Sequence, residues 1–277
     1  MSGGARRRAE LGQHFLAGGW LAAELVEQAG VGAGDLVVEI GAGTGVLTEA
    51  LARRAGRVVA VEYDPRLAER ARARLAGYSN IRVVTGDALL LPVPRRPFRV
   101  VANLPFGSTA AVLRRLLGDP RTRLERADLV VQEQAARRYA ARRPGTLETI
   151  AWGAWYDLAT GRRLGPASFR PQPRVGAAVL VVRRRRPPLV PVGGHRRFTA
   201  LMGSAFRHPG LPLRRALVPP FSYRQLRRLA RDLGFPLDAG PADLDAAQWA
   251  GLYAFLDSAR PGARPGPRSG SRPGKTR

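Results

Sequence analysis

The sequence predicts an α/β protein, an open and largely parallel sheet flanked by helices, followed by a smaller helical domain. Two observations carry the sheet. Short β-branched runs alternate with helix-compatible segments over the first two thirds of the chain. One stretch, Leu36 to Glu62, reads in order as strand, glycine-rich turn, helix and strand. A third observation carries the helical part. Beyond the run Arg183-Arg184-Arg185-Arg186-Pro187-Pro188 the texture changes to short helices.

Residues 1–10 are rich in Gly and Arg and are expected to form a flexible basic arm. Gly12-Gln13-His14-Phe15-Leu16 then precedes the amphipathic segment Trp20 to Ala29. Taken alone, that pentapeptide is either a helix cap with one anchoring aromatic or part of a site. Gly34-Asp35 turns the chain into the first strand, Leu36 to Ile40, and glycines alternate at Gly41, Gly43 and Gly45. A helix over Val46 to Arg54 and a strand over Arg57 to Val61 follow, closing on Glu62. Asp64 is placed as an N-cap and Pro65 as the first helical residue before Arg66 to Ala76. There Leu67, Ala71 and Leu75 have core spacing, and the arginines form a solvated face.

Ile81 to Thr85 is the third strand and delivers Gly86-Asp87 at its C-terminal end. The fourth strand, Phe98 to Ala102, runs into Asn103-Leu104-Pro105-Phe106-Gly107. A helix over Thr109 to Leu117 and a strand over Asp128 to Val131 come next. An aromatic-rich helix is expected near Ile150 to Leu158. It is followed by the loop Phe169-Arg170-Pro171-Gln172-Pro173 and a last strand, Ala177 to Val182, with the late strands pairing at one edge. The catalytic domain is thus expected to span 11–186. Helices over Arg196 to Phe206, Leu213 to Leu217, Ser222 to Leu233 and Ala246 to Leu256 make a helical domain, 187–257. Residues 258–277 hold six basic residues, no acidic ones and little that is apolar, so this tail is expected to be disordered.

The chain has 277 residues, 45% of them apolar, enough for one large domain and a small one. Lys and Arg total 46 against 21 Asp and Glu, for a formal net charge of +25. All but Lys275 are arginine, which a GC-rich coding bias explains, but that bias does not explain the excess over acids. The surplus favours a polyanionic partner, nucleic acid first, because the guanidinium fits phosphate. Cysteine is absent, so disulfides and thiolate metal sites are excluded, and His14, His195 and His208 make no metal pattern. No apolar run approaches the roughly 18 residues of a membrane span, so no membrane association and a cytoplasmic location are expected.

The unit ending at Glu62 has the form of a nucleoside site. Glycines admit the ligand to the backbone, and a carboxylate about twenty residues on accepts from the ribose hydroxyls. A dinucleotide turn prefers G-x-G-x-x-G, whereas here Gly45 falls one residue early. Glu39 is also expected to set a negative charge where a pyrophosphate would lie. Both features favour a cationic nucleoside, S-adenosylmethionine, over NAD. Asp87 is either a turn residue or an acceptor for the adenine amino group at the carboxyl edge of the sheet.

Asn103-Leu104-Pro105-Phe106 sits beside the same crevice. The amino group of adenine is a poor nucleophile because its lone pair is delocalised into the ring. Two acceptors aimed at its protons, the Asn103 side-chain oxygen and the Leu104 carbonyl, would concentrate that pair. Pro105 would fix the turn and Phe106 would stack on the extruded base. The bland alternative is a strand-to-helix turn with a packed Phe.

The set GQHFL (12–16), EIGAGTG (39–45), VE (61–62), GDAL (86–89), NLPFGST (103–109) and FRPQPRV (169–175) resembles the ribosomal RNA adenine dimethyltransferases. The NLPFGST form and the Arg/Gly/Pro-rich tail look most like the macrolide–lincosamide–streptogramin resistance branch of the erythromycin type. That resemblance implies a Rossmann-like methyltransferase that moves methyl from S-adenosylmethionine to one adenine amine in 23S ribosomal RNA. It further implies a monomer in which the helices of 187–257 bind RNA. By motif, His14 and Leu16 would contact the cofactor chiefly through the backbone. Gly41 and Gly43 would lie along it, Glu62 would hold the ribose, and Asp87 with Ala88 the adenine. Asn103 would link cofactor and target.

Two departures from the family pattern stand out. Asn is commoner than histidine at position 14, and the late loop usually ends P-x-P-x-V-D, where this chain has Gly176. A housekeeping enzyme acting on small-subunit RNA shares the motifs, and a non-catalytic nucleic-acid-binding relative shares the fold. The second would be expected to lose Asn103 or the glycine turn, and both are intact.

Overall fold

The computed structural model of the chain describes residues 14–258 apart from Pro144. The basic arm (1–10) and all of the expected tail except Ser258 lie outside the described residues.

A seven-stranded sheet forms the frame. Its strands are β2 (Leu36–Ile40), β3 (Arg57–Glu62), β4 (Ile81–Thr85), β5 (Phe98–Asn103), β6 (Leu124–Gln132), β7 (Tyr156–Leu164) and β9 (Ala177–Arg184). They lie in the order β4-β3-β2-β5-β6-β9-β7. The pairings from β4 through to β6 are parallel, and β9 joins β6 and β7 antiparallel at one edge. Two short strands, β1 (Phe15–Leu16) and β8 (Phe169–Arg170), pair antiparallel outside the main sheet.

Helices α1 (Gly19–Gln28) and α2 (Val46–Ala52) pack on one face around Leu21, Leu25, Val37, Leu51 and Val101. α3 (Pro65–Arg74) follows β3, and its start is as expected: the Asp64 carboxylate accepts from the Arg66 amide at 2.8 Å, with Pro65 in the first turn. α4 (Thr109–Leu117), α5 (Glu133–Tyr139) and α6 (Leu147–Trp152) lie along β5 to β9. The C-terminal helices are α7 (His195–Phe206), α8 (Leu213–Ala216), α9 (Tyr223–Leu233) and α10 (Ala246–Ser258). They share one buried cluster with the second sheet face, joined by Trp155, Phe198 and Tyr253. Trp155 donates its indole N–H to the Val190 carbonyl at 2.8 Å, so this buried ring is also polar-satisfied.

The expected helix near Ile150 to Leu158 is a correction. α6 stops at Trp152 and β7 begins at Tyr156. Trp152, Trp155 and Tyr156 are spaced as on a helix face, yet all three are buried, across the helix end, the turn and the strand start. β7 hides its own pattern, because it is an edge strand with mostly exposed residues and a register shift between Thr160 and Arg163. β6 runs nine residues, beyond the expected Asp128 to Val131, and α5 has no counterpart among the expected helices.

Parallel pairing brings the carboxyl ends of β2, β3, β4 and β5 to one edge. The order turns back on itself between β2 and β5, so the crevice between them lies at the switch point where open α/β sheets bind ligands.

Candidate active site

β2 ends at Ile40, and Gly41, Gly43 and Gly45 carry the chain away at φ 81°, 57° and 82°. L side chains avoid this left-handed region. Position 43 has a second constraint: a Cβ there would lie 2.7 Å from the Phe15 ring. The ring therefore closes directly over the turn. The Gly41 and Ala42 amides donate to the Val61 carbonyl at 2.8 and 3.1 Å, fastening the turn to β3.

Glu62 ends β3 and is buried. Its Oε2 accepts from the Gly43 amide at 2.7 Å and its Oε1 from the Asp64 amide at 2.9 Å. A carboxylate oxygen has two acceptor sites, so each keeps one for a ligand. The two backbone bonds hold the carboxylate in one orientation.

Glu39 differs from expectation. Its side chain is 1% exposed, and its Oε2 has no hydrogen-bond partner. Burial, opposed by the Thr48 hydroxyl and reinforced by the charge of Glu62, pushes its carboxyl up to about 8. At neutral pH Glu39 is predominantly protonated and sets no charge toward the crevice. The choice against a dinucleotide therefore rests on the glycine spacing.

Asp87 follows β4. Its Oδ1 accepts from the Leu89 amide at 2.8 Å, and its carbonyl from the Leu90 and Leu91 amides at 3.0 and 3.2 Å. The residue is thus a turn-former that also lines the crevice.

Asn103 ends β5. Its Nδ2 donates to the His14 carbonyl at 2.7 Å. A carbonyl only accepts, so the amide nitrogen must face His14, which leaves Oδ1 turned away and free to accept. The Leu104 amide donates to the Val130 carbonyl at 3.1 Å. The Pro105 carbonyl receives the Ser108 amide at 2.9 Å and the Ser108 hydroxyl at 2.8 Å. These bonds give the NLPFGST segment a fixed tight turn into α4.

His14, Gly41, Gly43, Glu62, Asp87, Ala88, Asn103 and Pro105 line one cleft of about 200 Å³, partly open to solvent. Leu16, Leu104 and Phe106 do not line it. The Leu16 and Leu104 side chains are buried in the core, which leaves them only backbone roles. Phe106 is half-buried beside the His14 ring. The sequence reading missed Phe15, Tyr63 and Ser108 as lining residues. Tyr63 had a signal, an aromatic just after the strand-terminal carboxylate, and it is 76% exposed. At the late loop, a Cβ on Gly176 would lie 3.1 Å from Glu133 Oε2, so a carboxylate from α5 stands beside the position where the family pattern has an acid.

A glycine turn of positive φ whose middle position has no room for a side chain, an oriented carboxylate with spare acceptor sites and an acid at the next strand end together fit a nucleoside-bearing cofactor. Fold and site define the class, an S-adenosylmethionine-dependent methyltransferase. The chain belongs to the ribosomal RNA adenine dimethylase family, which it matches over residues 4–256. It is 30% identical over 246 residues to an rRNA adenine N-6-methyltransferase of Bacillus licheniformis, covering 87% of this chain and 84% of that protein. It is 36% identical over 265 residues to one from Aeromicrobium erythreum, covering 93% and 76% respectively. The crystal structure of the 23S rRNA methyltransferase ErmE matches with a TM-score of 0.78 at 30% identity, over 88% of this chain and 99% of that one.

Proposed function

We propose that this chain methylates the exocyclic amine of one adenine in 23S ribosomal RNA and thereby confers macrolide–lincosamide–streptogramin resistance. The observation that carries the chemistry is the Asn103 amide, held by its nitrogen so that its oxygen is the free acceptor. The likeness to ErmE supports the large-subunit target.

In this reading Glu62 holds the ribose, Asp87 and Ala88 the adenine, and Gly41 and Gly43 the remainder of the cofactor, with His14 and Leu16 contributing backbone. When bound there, S-adenosylmethionine would supply an electrophilic methyl group for the target nitrogen. Asn103 Oδ1 and the Leu104 carbonyl accept hydrogen bonds from the two amine N–H groups and concentrate the lone pair on nitrogen, and one of those protons leaves to solvent once the nitrogen carries the methyl. Pro105 fixes that turn, and Phe106 stacks on the base. Positioning supplies most of the catalysis, because the methyl is intrinsically reactive.

The helices of 187–257 provide an RNA surface. On α9, Arg224, Arg227, Arg228 and Arg231 lie at i, i+3, i+4 and i+7, all exposed, with Asp232 as the acid paired to the last two. Such a stripe suits a phosphate backbone. Among the described residues no helix is long and apolar enough to cross a membrane. A monomer acting on ribosomal RNA in the cytoplasm is the corresponding setting.

Mapping methylated adenines in both ribosomal RNAs of a host expressing the chain tests this reading. A new modified adenine in 23S RNA, with raised macrolide tolerance, is expected. New methylation confined to small-subunit RNA would move the protein to the housekeeping branch.

A further inference from the structure

One side chain joins the two halves of the site. The His14 imidazole stands 5.3 Å from the Phe106 ring, centroid to centroid, with 40° between the planes. Its Nδ1 lies 2.8 Å from the Pro171 carbonyl oxygen. That oxygen only accepts, so Nδ1 carries the hydrogen. The backbone carbonyl of the same residue receives Asn103 Nδ2. The next two residues, Phe15 and Leu16, pair with Arg170 and Phe169. Three segments far apart in sequence therefore meet on position 14.

We propose that the His14 side chain is a positioning residue for the target adenine, acting through Phe106 and the loop 169–173. The inference rests on the reading that Asn103 and Phe106 receive the base. A stacking platform contributes only if its ring is held at one tilt, since a swinging ring gives back the orientation entropy that binding is meant to remove. Phe106 is only partly covered by the core and begins a three-residue 3-10 turn. The imidazole forms a wall beside it, and the bond to Pro171 fixes the imidazole.

Two substitutions separate these contacts. Asn at position 14 keeps an N–H donor where Nδ1 stands and removes the ring. Phe keeps a ring and removes the donor.

The test uses full-length protein, tritiated S-adenosylmethionine and 23S ribosomal RNA, with cofactor affinity measured by calorimetry. Wild type, His14→Asn and His14→Phe are compared, each also in a Phe106→Ala background. His14→Asn is expected to lower kcat about tenfold while cofactor Kd changes less than about twofold, and to cost nothing further once Phe106 is removed. His14→Phe is expected to lower kcat in both backgrounds, because the loop bond does not depend on the Phe106 ring. An unchanged kcat in His14→Asn would overturn the proposal. So would an equal loss with and without Phe106, or a cofactor affinity that falls in step with kcat, since each describes a merely structural residue. A wild-type protein that transfers no methyl to any ribosomal RNA would overturn the functional reading and this inference with it.

Discussion

The Gly43 amide donates to the Glu62 carboxylate at 2.7 Å, tying the glycine turn to the end of the neighbouring strand. One side chain thus orients the loop and presents the remaining acceptor sites to a ligand. Glu62→Ala is expected to weaken S-adenosylmethionine binding by about 1.5–3 kcal/mol, the scale of hydrogen bonds to a charged acceptor. Glu62→Gln should fall between, since its single oxygen can replace only one of the two carboxylate oxygens that accept from the Gly43 and Asp64 amides. Calorimetry on folded variants measures both, and unchanged affinity in Glu62→Ala would remove the ribose role.

Glu39 gives the protein a pH-dependent stability. Its carboxyl ionises near 8 in the folded chain against 4.5 as the reference value. The stability it permits is therefore complete below about pH 4.5 and erodes as pH rises toward 8, where the unfolded chain ionises and the folded one does not. Each tenfold difference in proton affinity is worth about 1.4 kcal/mol, so the total is on the order of a few kcal/mol. Glu39→Gln should flatten this slope, gaining on the wild type at pH 8 relative to pH 5 in denaturant titrations. Parallel slopes for the two proteins would show that Glu39 is ionised when folded.

Two basic features should add RNA affinity without altering the choice of adenine. Charge reversal at Arg224 and Arg227 should weaken binding and reduce the salt slope by about one for each phosphate no longer neutralised. Deleting 259–277, with its six basic residues, should do the same and leave turnover at saturating RNA intact. Filter binding across a salt series decides. Equal affinity and slope after deletion would assign the tail to compositional drift alone.

Much of the fold is legible because its parallel strands announce themselves as β-branched runs, buried in the central β2, β3 and β5 and kept in the less covered edge strand β4. β2, β3, β4 and β5 fall where Leu36, Arg57, Ile81 and Phe98 begin such runs. β7 is not legible, since an exposed edge strand carries no apolar alternation, and its aromatic neighbours mimic a helix. The glycine turn, Glu62, Asp87 and Asn103 gather because each lies at the end of a parallel strand. Phe15 closing over Gly43 and His14 meeting Pro171 depend on contacts across long stretches of sequence. No local pattern encodes them. Glu39 shows the converse: a carboxylate in a motif reads as a charge, and only its burial makes it a neutral acid.

In the proposed mechanism Asn103 is the residue on which the chemistry turns, and single-turnover methyl transfer by Asn103→Ala tests its action on the reacting amine most directly. With saturating cofactor and ribosomal RNA, the variant is expected to keep its fold and lose about tenfold or more in rate, the scale of one misplaced positioning group. Methyl transfer at the wild-type rate by a folded Asn103→Ala protein would contradict that role.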